Sequence, residues 1–532
     1  VYTIEISLGK GESVFSEALS ILEREHVAER IWGKDYTLWS SEPAEITDRL
    51  GWLTVIDSMR AQIPILEAFS KEIRQADILD VVLLGMGGSS LGAEVLNRVL
   101  GSTPGHPRLT VLDSTIPGAV ASVRESIDLA RALFLVSSKS GTTSETRALF
   151  DYFKAAESDT RKNNTGGHFV AITDPGTQLA KLAYEQGFRR VFENPGDIGG
   201  RYSVLSLFGL VPAALIGVDI KRLLDAADAM RKRCGPSLPA DKNEGCQLGA
   251  YLGALANCNR DKVTIITSPS LDSFGLWVEQ LIAESTGKSG RGMIPVVGEP
   301  LVDTGLYGGD RLFVYVRLKD DDNTAVDSFV RAVRAVGYPL AVLEIKDRWE
   351  LGAIFYLWEF AVAVAGMLIG IHPFNQPDVQ RTKEATRKIL NEYADSGKLP
   401  SSQVGNSLPD LLSQAREGDY FAIMAYLEQT AKADREFESL RRSVLKSHHL
   451  ATTIGYGPRF LHSTGQLHKG GPDKGLFLQV VAKHDRDVPI PLRGYSFGTM
   501  SGAESLGDLE ALQSLGRRVI RMNLDELVMQ MK

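Results

Sequence analysis

Apolar and polar positions change their period several times along the chain. Residues 1 to about 75 read as an N-terminal helical segment, with apolar and charged residues at helical spacing over Ala18–Ile31 and Leu53–Phe69. From residue 76 the pattern becomes short apolar runs separated by amphipathic stretches. Asp80–Leu84, Leu109–Leu112, Ala132–Val136 and Phe169–Ile172 read as strands. Leu91–Leu100, Ala119–Ser126, Glu145–Lys154 and Gln178–Glu185 read as the helices between them. Such alternation implies a parallel sheet flanked by helices, with ligands at the carboxyl ends of the strands.

A helical stretch, Ser206–Arg233, and a break at Gly235–Gly245 close this first domain, 76–233. The pattern restarts over 246–397, with strands expected at Val263–Thr267, Leu312–Leu318 and Leu340–Ile345. Helices are expected there at Cys246–Asn257, Phe274–Ser285, Thr324–Val336 and Ala353–Ile369. After a linker at Lys398–Gly405, residues 406–532 read as a smaller α/β unit. It has helices over Tyr420–Ser447 and strands at Leu476–Ala482 and Arg518–Met522. The expected class is α/β: two parallel-sheet domains plus a C-terminal α/β extension.

Composition narrows the functions open to this architecture. The 532 residues agree with about three domains, and a net charge of −7 argues against nucleic acid or an anionic membrane as the main partner. Cys234, Cys246 and Cys258 contain no C-x-x-C pair and fit a reducing cytoplasm. Leu351–Ile371 is long and apolar enough to span a bilayer, but Glu359 and three glycines favour a core helix, and no membrane role is expected. The 51 glycines cluster in part at predicted strand ends, as tight ligand loops would require.

Three of those loops carry candidate chemistry. Gly85-Met86-Gly87-Gly88-Ser89-Ser90-Leu91-Gly92 follows the first strand and opens a helix. It resembles a dinucleotide loop, although Ser90 stands where the third glycine belongs, and Asp113 is placed where a ribose-binding acid could lie. Ser137-Ser138-Lys139-Ser140-Gly141-Thr142-Thr143-Ser144-Glu145-Thr146 has seven hydroxyl residues and a lysine at a helix start. One hydroxyl would cap the helix; seven suit a phosphate monoester. Asn194–Ser203 holds Gly199-Gly200-Arg201, a close backbone approach beside a fixed cation.

Together these loops resemble glucose-6-phosphate isomerases, which are built from two sugar-isomerase (SIS) domains. Two further segments extend the resemblance over roughly residues 80 to 390: Gln280-Leu281-Ile282-Ala283-Glu284-Ser285-Thr286-Gly287-Lys288 and Phe374-Asn375-Gln376-Pro377-Asp378-Val379-Gln380-Arg381-Thr382-Lys383. The resemblance implies aldose–ketose isomerisation of glucose 6-phosphate and fructose 6-phosphate through a cis-enediol, without metal or other cofactor. It implies Glu284 as the C2/C1 base, Arg201 as the enediolate stabiliser and Lys383 as a ring-opening or orienting lysine. It places Gly88, Ser89, Ser138, Lys139, Ser140, Thr142, Thr143, Gly200, Gln280 and Gln376 on the substrate. It also implies a cytoplasmic homodimer, and the C-terminal part is similar to the isomerase portion of transaldolase fusions, so a transaldolase domain is expected ahead of Val1.

The chain departs from the family at Asn375, Asp378 and Gln380, and above all in its histidine. The family carries one about thirty residues beyond its glutamate, reaching into a partner subunit; here the corresponding Gly298–Tyr307 contains none. Three substitutes are open: His468 first, within Ser463-Thr464-Gly465-Gln466-Leu467-His468; His462 second; His372 third. The alternatives to an isomerase are a non-catalytic phosphosugar-binding protein and an NAD-dependent dehydrogenase.

Overall fold

The structure, a computed structural model, describes residues 3–160, 165–402, 404–483 and 486–531. Val1 and Gln403 of the expected linker lie outside them. Three sheets organise the chain. The first comprises β2 (Asp80–Leu84), β3 (Arg108–Leu112), β4 (Ala132–Ser137), β5 (Phe169–Thr173) and β6 (Arg190–Glu193), all parallel, in the order β3-β2-β4-β5-β6. The second holds β7 (Lys262–Thr267), β8 (Ile294–Val297), β9 (Arg311–Leu318) and β10 (Leu340–Ile345) in parallel.

An N-terminal strand, β1 (Thr3–Ser7), completes the second sheet by pairing antiparallel with β10. This corrects the helical reading of the first residues: Thr-Ile-Glu-Ile-Ser alternates with a period of two, and Ile4 and Ile6 pack against the core. Helices do follow, at Glu12–Arg24 and Val55–Gln75.

The third sheet, in the order β12-β11-β13-β14, is parallel and consists of β11 (Tyr420–Tyr426), β12 (Ala451–Tyr456), β13 (Gly475–Val481) and β14 (Arg518–Asn523). Here too the helical reading needs correction. Tyr420–Tyr426 is a wholly buried strand, and the helix begins only at Ala431, where the Thr430 hydroxyl caps Ala433 N–H. Seven apolar residues in succession suit a central strand covered on both faces. The short strands β6 and β8 and the sheet-edge β12 also escape the apolar-run pattern.

The apolar segment beginning at Leu351 is a helix, Leu351–Leu368, packed between the helices Glu244–Asn257 and Ile220–Arg233. All but its last two residues are buried inside the protein. Glu359, midway along, is 0% exposed, and neither of its oxygens has a hydrogen-bond partner. Burial raises its pKa well above the usual carboxylate range, so it is held as a neutral acid.

Candidate active site

Each chemical loop leaves the carboxyl end of a first-sheet strand. After β2, Gly87 adopts φ +56°, and a Cβ there would lie 2.7 Å from the His462 carbonyl oxygen. Gly88 packs on Gly200 so closely that a Cβ on it would stand 2.1 Å from the Gly200 carbonyl oxygen. The two glycine loops are therefore one contact. Asp113 receives two hydrogen bonds from Arg459, at 2.8 and 2.7 Å. That carboxylate, a candidate ribose ligand by sequence, is instead committed to tying the C-terminal unit to the first domain.

After β4 the hydroxyl loop precedes the helix Ser144–Thr160. Ser138 and Thr143 share a 3.0 Å hydrogen bond, as do Ser140 and Thr142. Ser140, Thr142 and Thr143 line a cavity of about 330 Å³, with Lys383 and Arg387 of the helix Val379–Ser396 on the wall. Lys139 does not join them. Its ammonium is held at 2.6 Å by Asp174, so it is a structural cation beside the loop rather than a cavity ligand, which corrects its expected role. Ser89 and Ser138 are buried, and the Ser89 carbonyl accepts from the Ser137 hydroxyl at 2.8 Å. These residues set the shape of the loops.

Arg201 and Glu284 form a buried pair, 2% and 8% exposed. The Arg201 guanidinium donates to Glu284 Oε2 at 3.2 Å, Gln376 Oε1 at 2.8 Å and Ser285 Oγ at 2.9 Å. It also donates to the carbonyls of Pro373 and Asn375 at 2.7 and 2.9 Å. One side chain thus joins the third loop, the helix Phe274–Thr286 and the segment before Lys383. Burial raises the Glu284 pKa and outweighs the opposing charge of Arg201. One turn earlier, Gln280 donates to Glu284 at 3.4 Å and to the His462 carbonyl at 2.8 Å. Gln280 therefore links the carboxylate to the histidine segment.

The three histidines have different surroundings. His468 sits on the short helix Gly465–Gly470, with its ring centroid 5.9 Å from Phe460 and 5.0 Å from Phe477. It is 4% exposed, its Nδ1 is unpartnered, and burial keeps it neutral. It does not line the cavity, and its preferred place by sequence is corrected: it is an aromatic-core residue. His372 accepts from Phe374 N–H at Nδ1 and meets the Ala44 carbonyl at Nε2, 3.2 Å away; burial lowers its pKa to about 4. His462 does line the cavity, and its Nε2 is 2.7 Å from Glu145 Oε1.

Glu145 is the principal residue missed by sequence reasoning. Burial alone would disfavour its ionisation, but the charge and hydrogen bond of His462 prevail and lower its pKa to about 2. The Ser144 hydroxyl supports its second oxygen at 2.8 Å. The only signal in the sequence was a carboxylate directly after the hydroxyl run.

The acid–histidine pair thus lines the hydroxyl cavity, while the buried Glu–Arg pair lies outside its lining and is linked to it through Gln280 and the His462 carbonyl, against which the Gly87 loop also packs. Among known families, the sequence pattern of phosphoglucose isomerase matches residues 25–293. The chain belongs to the phosphoglucose isomerase family. A probable glucose-6-phosphate isomerase of Methanococcus maripaludis is 28% identical over 435 residues, covering 74% of this chain and 92% of that protein. The glucose-6-phosphate isomerase of Campylobacter jejuni is 28% identical over 358 residues, 59% of this chain and 86% of its own.

Among solved structures, hypothetical protein TT0462 of Thermus thermophilus aligns with a TM-score of 0.61 at 23% identity, over 73% of this chain and 99% of that one. A Chlamydia trachomatis glucose-6-phosphate isomerase aligns with a TM-score of 0.54 at 21% identity, over 70% and 78%. At these identities the likeness concerns the fold. Within this phosphoglucose isomerase fold, the cavity histidine and Lys469 come from the segment joining β12 to β13. The C-terminal unit is therefore part of the site wall.

Proposed function

We propose that this chain interconverts glucose 6-phosphate and fructose 6-phosphate through a cis-enediol. The observation that carries the reading is the His462–Glu145 pair on the wall of the same cavity as the hydroxyl loop, joined through Gln280 to Glu284 and Arg201. The phosphate is held by Ser140, Thr142 and Thr143 at the amino end of a long helix, whose free N–H groups favour an anion. Lys383 adds a cation at the exposed mouth.

With the phosphate anchored there, His462 moves the proton between O1 and O5 that opens the ring, and ionised Glu145 stabilises the imidazolium. Glu284 then takes the C2 proton as a carboxylate and returns it to C1. Its burial makes it a stronger base than an exposed glutamate. Arg201 balances the charge that develops on the enediol oxygens. The contact with Arg201 favours the ionised form of the base and opposes the effect of burial.

In this reading the C-terminal unit supplies in cis the histidine that the family takes from a partner subunit. A homodimer of this chain would therefore form for reasons other than completing the cavity. The three free cysteines support a cytoplasmic location for this enzyme.

The test is isomerisation of glucose 6-phosphate by the purified chain in deuterium oxide, followed by proton NMR. Conversion with deuterium entering at C1 or C2 is expected; absence of any conversion would sink the reading.

A further inference from the structure

Helix Phe497–Ser514 of the C-terminal unit brings a second carboxyl group to the cavity, and the reaction outlined above does not use it. Glu504 is 3% exposed and lines the cavity together with Glu145, His462 and Lys383. Its Oε2 accepts from the Thr115 hydroxyl at 2.6 Å, while its Oε1 is buried without a hydrogen-bond partner. A buried polar atom left unsatisfied is costly, so its presence at a ligand cavity calls for a partner that arrives with the ligand.

We propose that Glu504 is a substrate-binding residue that donates a hydrogen bond from Oε1 to an oxygen of the bound sugar phosphate. The proposal rests on the isomerase reading above. A carboxyl group can donate only when protonated, and burial raises the Glu504 pKa well above the usual carboxylate range, with the negative charge of Glu145 adding to it. The two glutamates are pushed apart, Glu145 down to about 2 and Glu504 upward, so one stays charged and the other neutral.

The charged groups around Glu504 agree with this assignment. Lys469 is engaged at 2.6 Å by Asp508, and Asp508 also accepts from Tyr426 at 3.2 Å, so neither compensates an ionised Glu504. His462 is taken by Glu145. Lys383 and Arg387 stand on the facing helix Val379–Ser396, where the phosphate draws on them. An ionised Glu504 would therefore repel the phosphate dianion without a cation of its own. Substrate binding should weaken as pH rises through the Glu504 pKa.

The experiment is KM and kcat for wild type, E504Q and E504A between about pH 6 and pH 10, with calorimetric binding of inorganic phosphate at both ends. In wild type KM should rise at the alkaline end while kcat holds. E504Q keeps a donor and cannot ionise. Its KM should rise only a few-fold at neutral pH and lose the alkaline increase. E504A should raise KM roughly tenfold, as loss of one buried hydrogen bond to a charged group does. An alkaline rise in KM that persists in E504Q, or is absent in wild type, overturns the proposal. Should E504A fail to fold, E504Q alone decides. If the wild type does not isomerise glucose 6-phosphate, the isomerase reading fails separately, and phosphate binding still reports on Glu504.

Discussion

His462 Nε2 and Glu145 Oε1 meet at 2.7 Å although 317 positions separate them in the chain. The carboxylate belongs to the first sheet's hydroxyl loop, and the imidazole to the turn that follows β12 of the third sheet. Neither group alone makes an effective acid–base catalyst, and the contact exists only because the C-terminal unit docks over the cavity. His462→Asn should lower kcat on cyclic glucose 6-phosphate by about 100- to 10,000-fold. On a linear aldose phosphate with no ring to open, the loss should be far smaller. Equal losses on both substrates would place His462 elsewhere in the reaction.

Glu284→Gln should abolish deuterium exchange at C2 and reduce turnover by several orders of magnitude, with KM changed little. The amide keeps the hydrogen bonds to Arg201 and Gln280 within reach but cannot accept the proton. Steady-state kinetics beside NMR exchange would separate the two effects.

The raised pKa of Glu284 has a definite sign in the rate profile. As the proposed base it acts in its carboxylate form, so kcat/KM should fall as pH drops through a value above the ordinary glutamate range. Arg201 opposes that rise. Arg201→Met should move the acid limb to higher pH while lowering kcat, which a pH–rate profile of the two proteins would show.

Glu145 has the opposite sign, in stability. Its folded pKa lies near 2, below its unfolded value, so its contribution is full above about pH 4.5 and is lost as pH falls toward 2. Thermal melts of wild type and Glu145→Gln should differ most near neutral pH and converge in acid. A gap that widens in acid would contradict the assignment.

The salt bridge between Arg459 and Asp113 anchors the segment carrying His462. The Asp113 side chain is 1% exposed and that of Arg459 is 23%. Asp113→Ala should destabilise the protein by about 3–5 kcal/mol, because it leaves a largely buried cation uncompensated. It should also depress activity out of proportion to the distance of Asp113 from the hydroxyl loop. Denaturant melts and turnover together measure both.

Much of the site was legible because its parts are local. Glycine pairs and a run of hydroxyls at strand ends declare themselves in eight or ten residues, and the strands that carry them are plain apolar runs. The missing parts are long-range. Nothing near Lys139 shows that Asp174 takes its charge, and nothing near Glu145 points to His462. The string Ser-Thr-Gly-Gln-Leu-His favoured His468, but spacing does not reveal which side of a six-residue helix meets a cavity. The His468 side of that helix turns away from the cavity, toward Phe460 and Phe477. Tyr420–Tyr426 merged with the helix after it because seven apolar residues carry neither period.

The pairing of Thr3 with Glu344, at the edge of the second sheet, has a consequence for taking the molecule apart. The whole first domain lies between β1 and its partner β10, so β1 finds no partner until the second sheet is built. A fragment cut at the apparent seam near residue 246 would expose the β10 edge as an open template, free to pair with another copy. Pieces that look like separate modules on paper would therefore clump, whereas a chain that keeps β1 covers that edge.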